Sequence, residues 1–327
     1  MRCYLMACVV AACFGSISRA EDEAPAPLHL EELAVVKLNG SEIRLVALSP
    51  DGKTLLTVSG ETGKDAELRD ANSGKLVGTL KGHHGGVEAV DWSRDGKSLV
   101  VGQDSGRVAI WDLPTSKQRR MFEVSYGIVW AVAFMHDGKT IITGVSDQAP
   151  GLWNAGSGKR IGTQRAFKGT VSAFGVGPKS GAVMHGTADG DLILLDPKTG
   201  KDRKAITKGD HRVRTIQFSP DEKLAAIGNI NGLWLVDMAS AELIPIDNES
   251  VSEYRAVAFS ADGESLVSMQ SGIVTRWDLE SRKKISEARI DGQGFIYRYA
   301  LSADGTRAAM PTSDTEVRVF AVPCSKD

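Results

Sequence analysis

A turn-like pentapeptide recurs seven times along this chain at almost constant spacing. It reads Ser49-Pro-Asp-Gly-Lys, Ser93-Arg-Asp-Gly-Lys, Met135-His-Asp-Gly-Lys, Gly177-Pro-Lys-Ser-Gly, Ser219-Pro-Asp-Glu-Lys, Ser260-Ala-Asp-Gly-Glu and Ser302-Ala-Asp-Gly-Thr. The intervals between first residues are 44, 42, 42, 42, 41 and 42. Alternating β-type residues precede each marker, as in Val87-Glu-Ala-Val-Asp-Trp92, and a second run follows, as in Ser98-Leu-Val-Val101. A third run ends in Trp-Asp or a variant, and a fourth begins after a Ser-Gly-Lys-type turn. Period-two runs separated by Asp-Gly turns are antiparallel hairpins. Four short strands per interval predict an all-β fold, a seven-bladed β-propeller of four-stranded antiparallel blades. One blade alone leaves both faces apolar, and packing blades in a ring buries them.

The details of the repeat resemble the WD40-repeat family in a divergent, exported form. Repeat two carries Gly82-His83, Val87, Trp92-Ser93, Asp95-Gly96, Asp104-Ser-Gly106 and Val108-Ala-Ile-Trp111-Asp112. The terminal pair recurs as Arg69-Asp70, Trp153-Asn154, Leu195-Asp196, Val236-Asp237 and Trp277-Asp278, and repeat seven ends in Phe320-Ala321. The resemblance implies a network of His, Ser or Thr, Asp and Trp within each blade. This chain departs from it: Val101 takes the Ser position of repeat two, repeat three keeps Thr143, Asp147 and Trp153 without the His, and repeat four has His185 where Ser is usual. Most blades must therefore rest on apolar packing.

The ends of the repeat array do not match. The chain closes after a third-strand pattern, Glu316-Val-Arg-Val-Phe-Ala-Val322, with no fourth strand. An extra run, Leu33-Ala-Val-Val-Lys-Leu38, precedes the first inner strand. An unpaired edge invites aggregation, so this run is expected to complete the last blade. The propeller is then placed at residues 29–323, with a tail at 324–327.

Residues 1–20 read as a signal peptide. Arg2 precedes an apolar run at 3–15 that is too short for a membrane span, and Ser18-Arg19-Ala20 is a small-x-small cleavage site. The expectation is a secreted or periplasmic protein cut near Ala20. The alternative is a lipoprotein anchored at Cys13 within Val10-Ala11-Ala12-Cys13. Residues 21–28 read as a flexible acidic, Pro-rich linker. Three of four cysteines lie in the leader, leaving Cys324 and no internal disulfide.

Chemistry is sparse. Lys plus Arg is 39 and Asp plus Glu is 41, a net charge of −2, which does not suit a nucleic-acid coat. The strings Gly52-Lys53-Thr54 and Gly138-Lys139-Thr140 lack the earlier Gly of a phosphate loop, since Ala47 and Ala133 stand there. The six histidines have no metal-ligand spacing, and no Gly-x-Ser-x-Gly elbow is present. His83 and His185 read as blade-packing residues. No catalytic residue, cofactor or metal is therefore expected. Asn39-Gly-Ser41 and Asn248-Glu-Ser250 match glycosylation acceptors.

Binding is expected on loops that the rigid ring holds in place. On the face carrying the fourth-to-first and second-to-third strand loops, here the top, the position five before each marker reads Arg44, Glu88, Trp130, Ser172, Arg214, Arg255 and Tyr297. Arg, Trp and Tyr are the types enriched in binding hot spots. Arg44, Glu88, Trp130, Arg214, Arg255 and Tyr297 are thus the candidate partner-binding residues, for another protein or for a small anionic ligand at the channel mouth. The bottom turns carry Lys53, Lys97, Lys139, Lys179 and Lys223, a rim that anionic lipid or polysaccharide could meet, although Asp residues alternate with them.

Overall fold

A computed structural model describes residues 25–38, 42–60, 63, 65–146, 148–163, 169–195, 202–207, 211–247, 253–291 and 299–323. The seven inner strands are Ile43–Leu48, Val87–Trp92, Val129–Phe134, Val171–Val176, Thr215–Phe218, Tyr254–Phe259 and Ala300–Leu301. Each opens an antiparallel sheet that runs outward in chain order, giving seven blades around an axis. The second blade is typical: Val87–Trp92, Ser98–Gln103, Arg107–Asp112 and Lys117–Glu123 pair in succession.

The core lies between blades, as the apolar faces of a single sheet require. Leu45, Leu56 and Leu68 of blade one pack against Val87, Leu99 and Trp111 of blade two. Each buried Leu or Val contributes about 1.5–3 kcal/mol relative to exposure, so every blade depends on its neighbours.

The seam closes as the strand count requires. Glu31–Lys37 pairs antiparallel with Glu316–Ala321 and supplies the outer strand of blade seven. Its alternation explains the docking: Ala34 and Val36 are buried, while Val35 and Lys37 are exposed. Ala34 and Val36 join Val317 and Val319 of blade seven and Ile43 and Val46 of blade one in a single cluster. Arg276 of blade six donates to the Pro323 carbonyl at 2.6 Å and fixes the other extremity.

The expected linker at 21–28 differs over its described part. Ala26 and Pro27 pair in parallel with Ser286 and Glu287, forming a fifth strand on blade six. The Leu28 amide donates to the Glu287 carbonyl at 2.8 Å, and its side chain is buried among Ala256, Val267 and Phe320. An exposed sheet edge and an apolar anchor outweigh the disorder that Pro-rich composition suggests. The leader at 1–20, the tail at 324–327, both glycosylation motifs, Asp147 and Tyr297 lie outside the described residues.

Blade interiors show what the departures from the repeat do. The Trp153 indole donates to Thr143 Oγ1 at 2.9 Å, and the Trp277 indole to Ser268 Oγ at 2.8 Å. With Val at position 101, the Trp111 indole nitrogen has no hydrogen-bond partner among the described residues, and His83 packs on its ring at 5.2 Å between centroids. Phe174 stacks against the fully buried His185. Burial pushes both imidazoles down to about 4, so they are neutral packing groups.

Candidate functional site

The bottom turns are closed, self-satisfied units. In five of them the marker Ser hydroxyl donates to the Asp two residues on, as in Ser49 to Asp51 at 2.7 Å and Ser93 to Asp95 at 2.6 Å. The Asp95 carboxylate also accepts the Lys97 amide at 3.0 Å, and the Ser93 oxygen accepts the Ser98 amide at 2.8 Å. The Ser93 hydroxyl and the Lys97 amide hold the Asp95 acid below the usual carboxylate range. The two Gly-Lys-Thr strings sit in such turns between paired strands, where no helix follows to bind phosphate.

Blade four lacks this aspartate, and its neighbour supplies the acceptor. Glu222 of blade five takes the amides of Lys179 and of Ser180, the latter at 2.9 Å. Glu222 occupies the left-handed position (φ 63°) that Gly52, Gly96, Gly138, Gly263 and Gly305 fill elsewhere. A side chain there costs roughly 1 kcal/mol or more, offset by the contact it makes across the blades.

Many basic residues of the bottom are already engaged. Lys223 pairs with Asp221 at 3.2 Å and Lys53 with Asp51 at 3.9 Å. Lys204 donates to the Ser240 carbonyl at 2.8 Å. Arg160 covers Trp153 and Lys284 covers Trp277.

The top is organised differently. A cavity of about 470 Å³ lies on the propeller axis, lined by residues at or beside the inner strands of all seven blades. Trp130, Ser172, Arg214 and Arg255 of the sequence-derived row face it. Arg44 and Glu88 do not line it; Leu45 and Val90 of the same strands do, and Arg44 is turned to solvent. Four of the six described members of the row thus line the cavity, rather than an even ring of them.

Three further residues at the mouth were not singled out from the sequence: Arg212 and Tyr299, which line the cavity, and Glu253, which pairs with two of its arginines. Glu253 bridges Arg214 through one carboxylate oxygen and Arg255 through the other. With Glu253 and Arg255 side chains only 15% and 16% exposed, solvent screens this bridge less than a surface pair. Arg212 lies over the Trp130 ring, 5.3 Å from guanidinium carbon to centroid. The Trp130 indole in turn donates to Ser146 Oγ at 2.8 Å, which fixes the ring. Burial, and then the like charge of Arg214, disfavour the Arg212 cation, with Glu253 acting the other way. The signal was present in the period: Arg212-Val213-Arg214 and Glu253-Tyr254-Arg255 alternate polar, buried, polar, with Val213 and Tyr254 almost fully buried.

Deeper in the cavity wall, Asp91 joins two blades. Its carboxylate accepts the Phe134 amide of blade three at 2.7 Å. Burial pushes this acid up to about 7, against the pull of the Phe134 and Trp92 amides. Gln217 repeats the bond between blades five and six, accepting the Phe259 amide at 2.8 Å.

The mouth gathers charged and aromatic side chains. It holds fixed cations, an indole and a phenol, and no nucleophile paired with a base is seen among its described residues. Among the described residues no three His, Cys, Asp or Glu side chains gather to hold a metal. No helix among them is long and apolar enough to cross a membrane.

Comparison with known proteins agrees with this architecture. The WD domain, G-beta repeat model matches residues 74–112 and 116–154. Each match begins in or just before the outer strand of one blade and ends with the third strand of the next, the same stagger that closes the ring. Over 48 residues the chain is 44% identical to Retinoblastoma-binding-like protein E of Dictyostelium discoideum, covering 15% of this chain and 9% of that protein. Over 177 residues it is 23% identical to Eukaryotic translation initiation factor 3 subunit I of Drosophila yakuba, covering 50% of this chain and 55% of the relative. The same subunit of Drosophila melanogaster matches equally, at 54% of its length. The chain thus spans about half the length of these subunits and a small part of the first relative.

Proposed function

Starting from a chain that belongs to the WD40-repeat β-propellers, we propose that it is a non-catalytic scaffold that docks another protein through its top-face loops. The observation that carries this reading is the contrast in side-chain use: the bottom turns satisfy their own polar groups, while the top mouth gathers three arginines and a tryptophan around an open cavity. Arg and Trp in a partly desolvated setting are the residues that dominate protein interfaces. Tyr126, on the loop between blades two and three, adds an aromatic side chain that is 98% exposed on the same face. The names of the relatives, one "binding-like" and one a "subunit", fit a life in assemblies. Neither name assigns this chain a partner.

The leader pattern at 1–20 supports a docking site outside the cytoplasm, with release near Ala20 or anchorage at Cys13 as the two forms of the proposal. The test is affinity capture from the protein's own envelope or medium with the mature chain and with a Trp130→Ala, Arg214→Ala, Arg255→Ala variant. Loss of the captured protein with an unchanged melting curve is the expected result. Equal capture by both would end the top-face reading.

A further inference from the structure

We propose that the channel mouth receives the side-chain carboxylate of an acidic segment of the partner protein, held between Arg212 and Arg214. This rests on the top-face docking reading and names what that face recognises.

The charge balance at the mouth is the first argument. Arg212, Arg214 and Arg255 give three positive charges against one on Glu253 and at most one on Asp91, so the mouth is net positive within the described residues. Asp91 in the same cavity lies deeper and already accepts the Phe134 amide. Glu253 bridges Arg214 and Arg255, whereas Arg212 has the Trp130 ring as its neighbour and no carboxylate bridge among the described residues. A guanidinium partly removed from water with an aromatic face beneath it is a preformed anion site, because the ring fixes the plane and leaves the donor edge open. A carboxylate matches that edge with two parallel hydrogen bonds.

The second argument concerns the source of the carboxylate. A free small acid would cover the arginines and nothing else. An acidic chain segment would also cover the Trp130 rim and the fully exposed Tyr126. A side chain on an extended segment also fits a mouth that is open to solvent, with a cavity of about 470 Å³ below it.

The probe is a fluorescein-labelled decamer of glutamate, titrated by anisotropy into the mature chain at low salt. It is expected to bind, with affinity falling as salt is raised. Arg212→Gln should weaken it by about tenfold, as loss of one partner of a close charge pair does at interfaces. Arg212→Lys, which keeps the charge and loses the fork, should fall in between. A bottom-face Lys97→Gln, Lys139→Gln variant should bind as the parent does. A lysine decamer should not bind. Undiminished binding by Arg212→Gln, or equal loss in the bottom-face variant, would overturn the proposal. Should Arg212→Gln melt early, an Arg214→Gln, Arg255→Gln variant carries the same expectation. Succinate displacing the decamer at equal carboxylate concentration would also overturn it, in favour of a small-acid pocket. If capture is lost in the top-face variant yet the decamer does not bind, docking stands and the carboxylate claim falls. If the decamer binds and capture is unaffected, the docking reading falls instead.

Discussion

The two faces of this propeller are built from the same repeat and differ in what their polar groups do. On the bottom, the Ser and Asp of five of the seven markers bond to each other, and in the second blade, for example, both also bond to the backbone of their own turn. Where blade four lacks the Asp, Glu222 reaches across from blade five to replace it. On the top, the polar side chains of the mouth reach between blades, as with Glu253 and Arg214, and they surround a cavity. The lesson is that a repeated polar residue is most often a structural part, consumed by its own turn. Recognition is better sought where the repeat varies while the scaffold beneath it does not.

This comparison can be broken in stages. Both faces depend on a closed ring, so deleting Glu31–Lys37 should have the largest effect. It removes the outer strand of blade seven together with Ala34 and Val36 from the seam cluster. The expected outcome is loss of cooperative melting for the whole chain. A trimmed propeller that melts in one sharp transition near the parent temperature would show that the seam is not needed.

Next comes a bottom turn. A Ser93→Ala, Asp95→Ala variant loses the Ser–Asp bond and its two backbone acceptors, and should destabilise by about 1–2 kcal/mol, the scale of a lost cap. Glutamate-decamer binding should stay unchanged. A fall in binding with no change in stability would reverse the roles assigned to the two faces.

The smallest effect concerns Asp91, between the faces. Its acid is raised to about 7 in the folded chain, so the folded state holds a proton that the unfolded chain releases at about pH 4. The stability this contributes is complete below about pH 4 and is lost as pH rises through 7. His83 and His185 act in the opposite sense. Their pKa values are lowered to about 4, so their contribution is present above about 6.5 and is lost as pH falls toward 4. Both histidines are shared by the parent and an Asp91 variant, so the difference between the two isolates Asp91. Asp91→Asn keeps an acceptor for the Phe134 amide, and should gain on the parent by on the order of 2–4 °C in melting temperature between pH 6.5 and 8.5. A difference that is flat across that range would remove the buried acid from the account.

The fold was legible because the repeat overdetermines it. Seven markers set the blade count, and the odd strand at each end of the array could only pair with the other. The site was half legible. Trp130, Ser172, Arg214 and Arg255 stood out as large or polar residues on a row of core positions. Arg212 and Glu253 stand two residues before Arg214 and Arg255, just ahead of the regular strands and outside the row that was read. Their roles come from partners in other blades, Trp130 and Arg214, which lie about 80 and 40 residues away in sequence. No local pattern carries such pairings. The Ala26–Pro27 strand was hidden for a related reason: its composition argues for a linker, and only the exposed edge of blade six makes it a strand.

The most direct test of the central claim uses the captured partner itself. A photocrosslinking residue is placed in one variant at Tyr126 and in another at Lys97, both are mixed with the partner, and both are irradiated. The account predicts a covalent adduct from position 126 on the top face and none from position 97 in the bottom turn. An adduct from position 97 with none from 126 would contradict it.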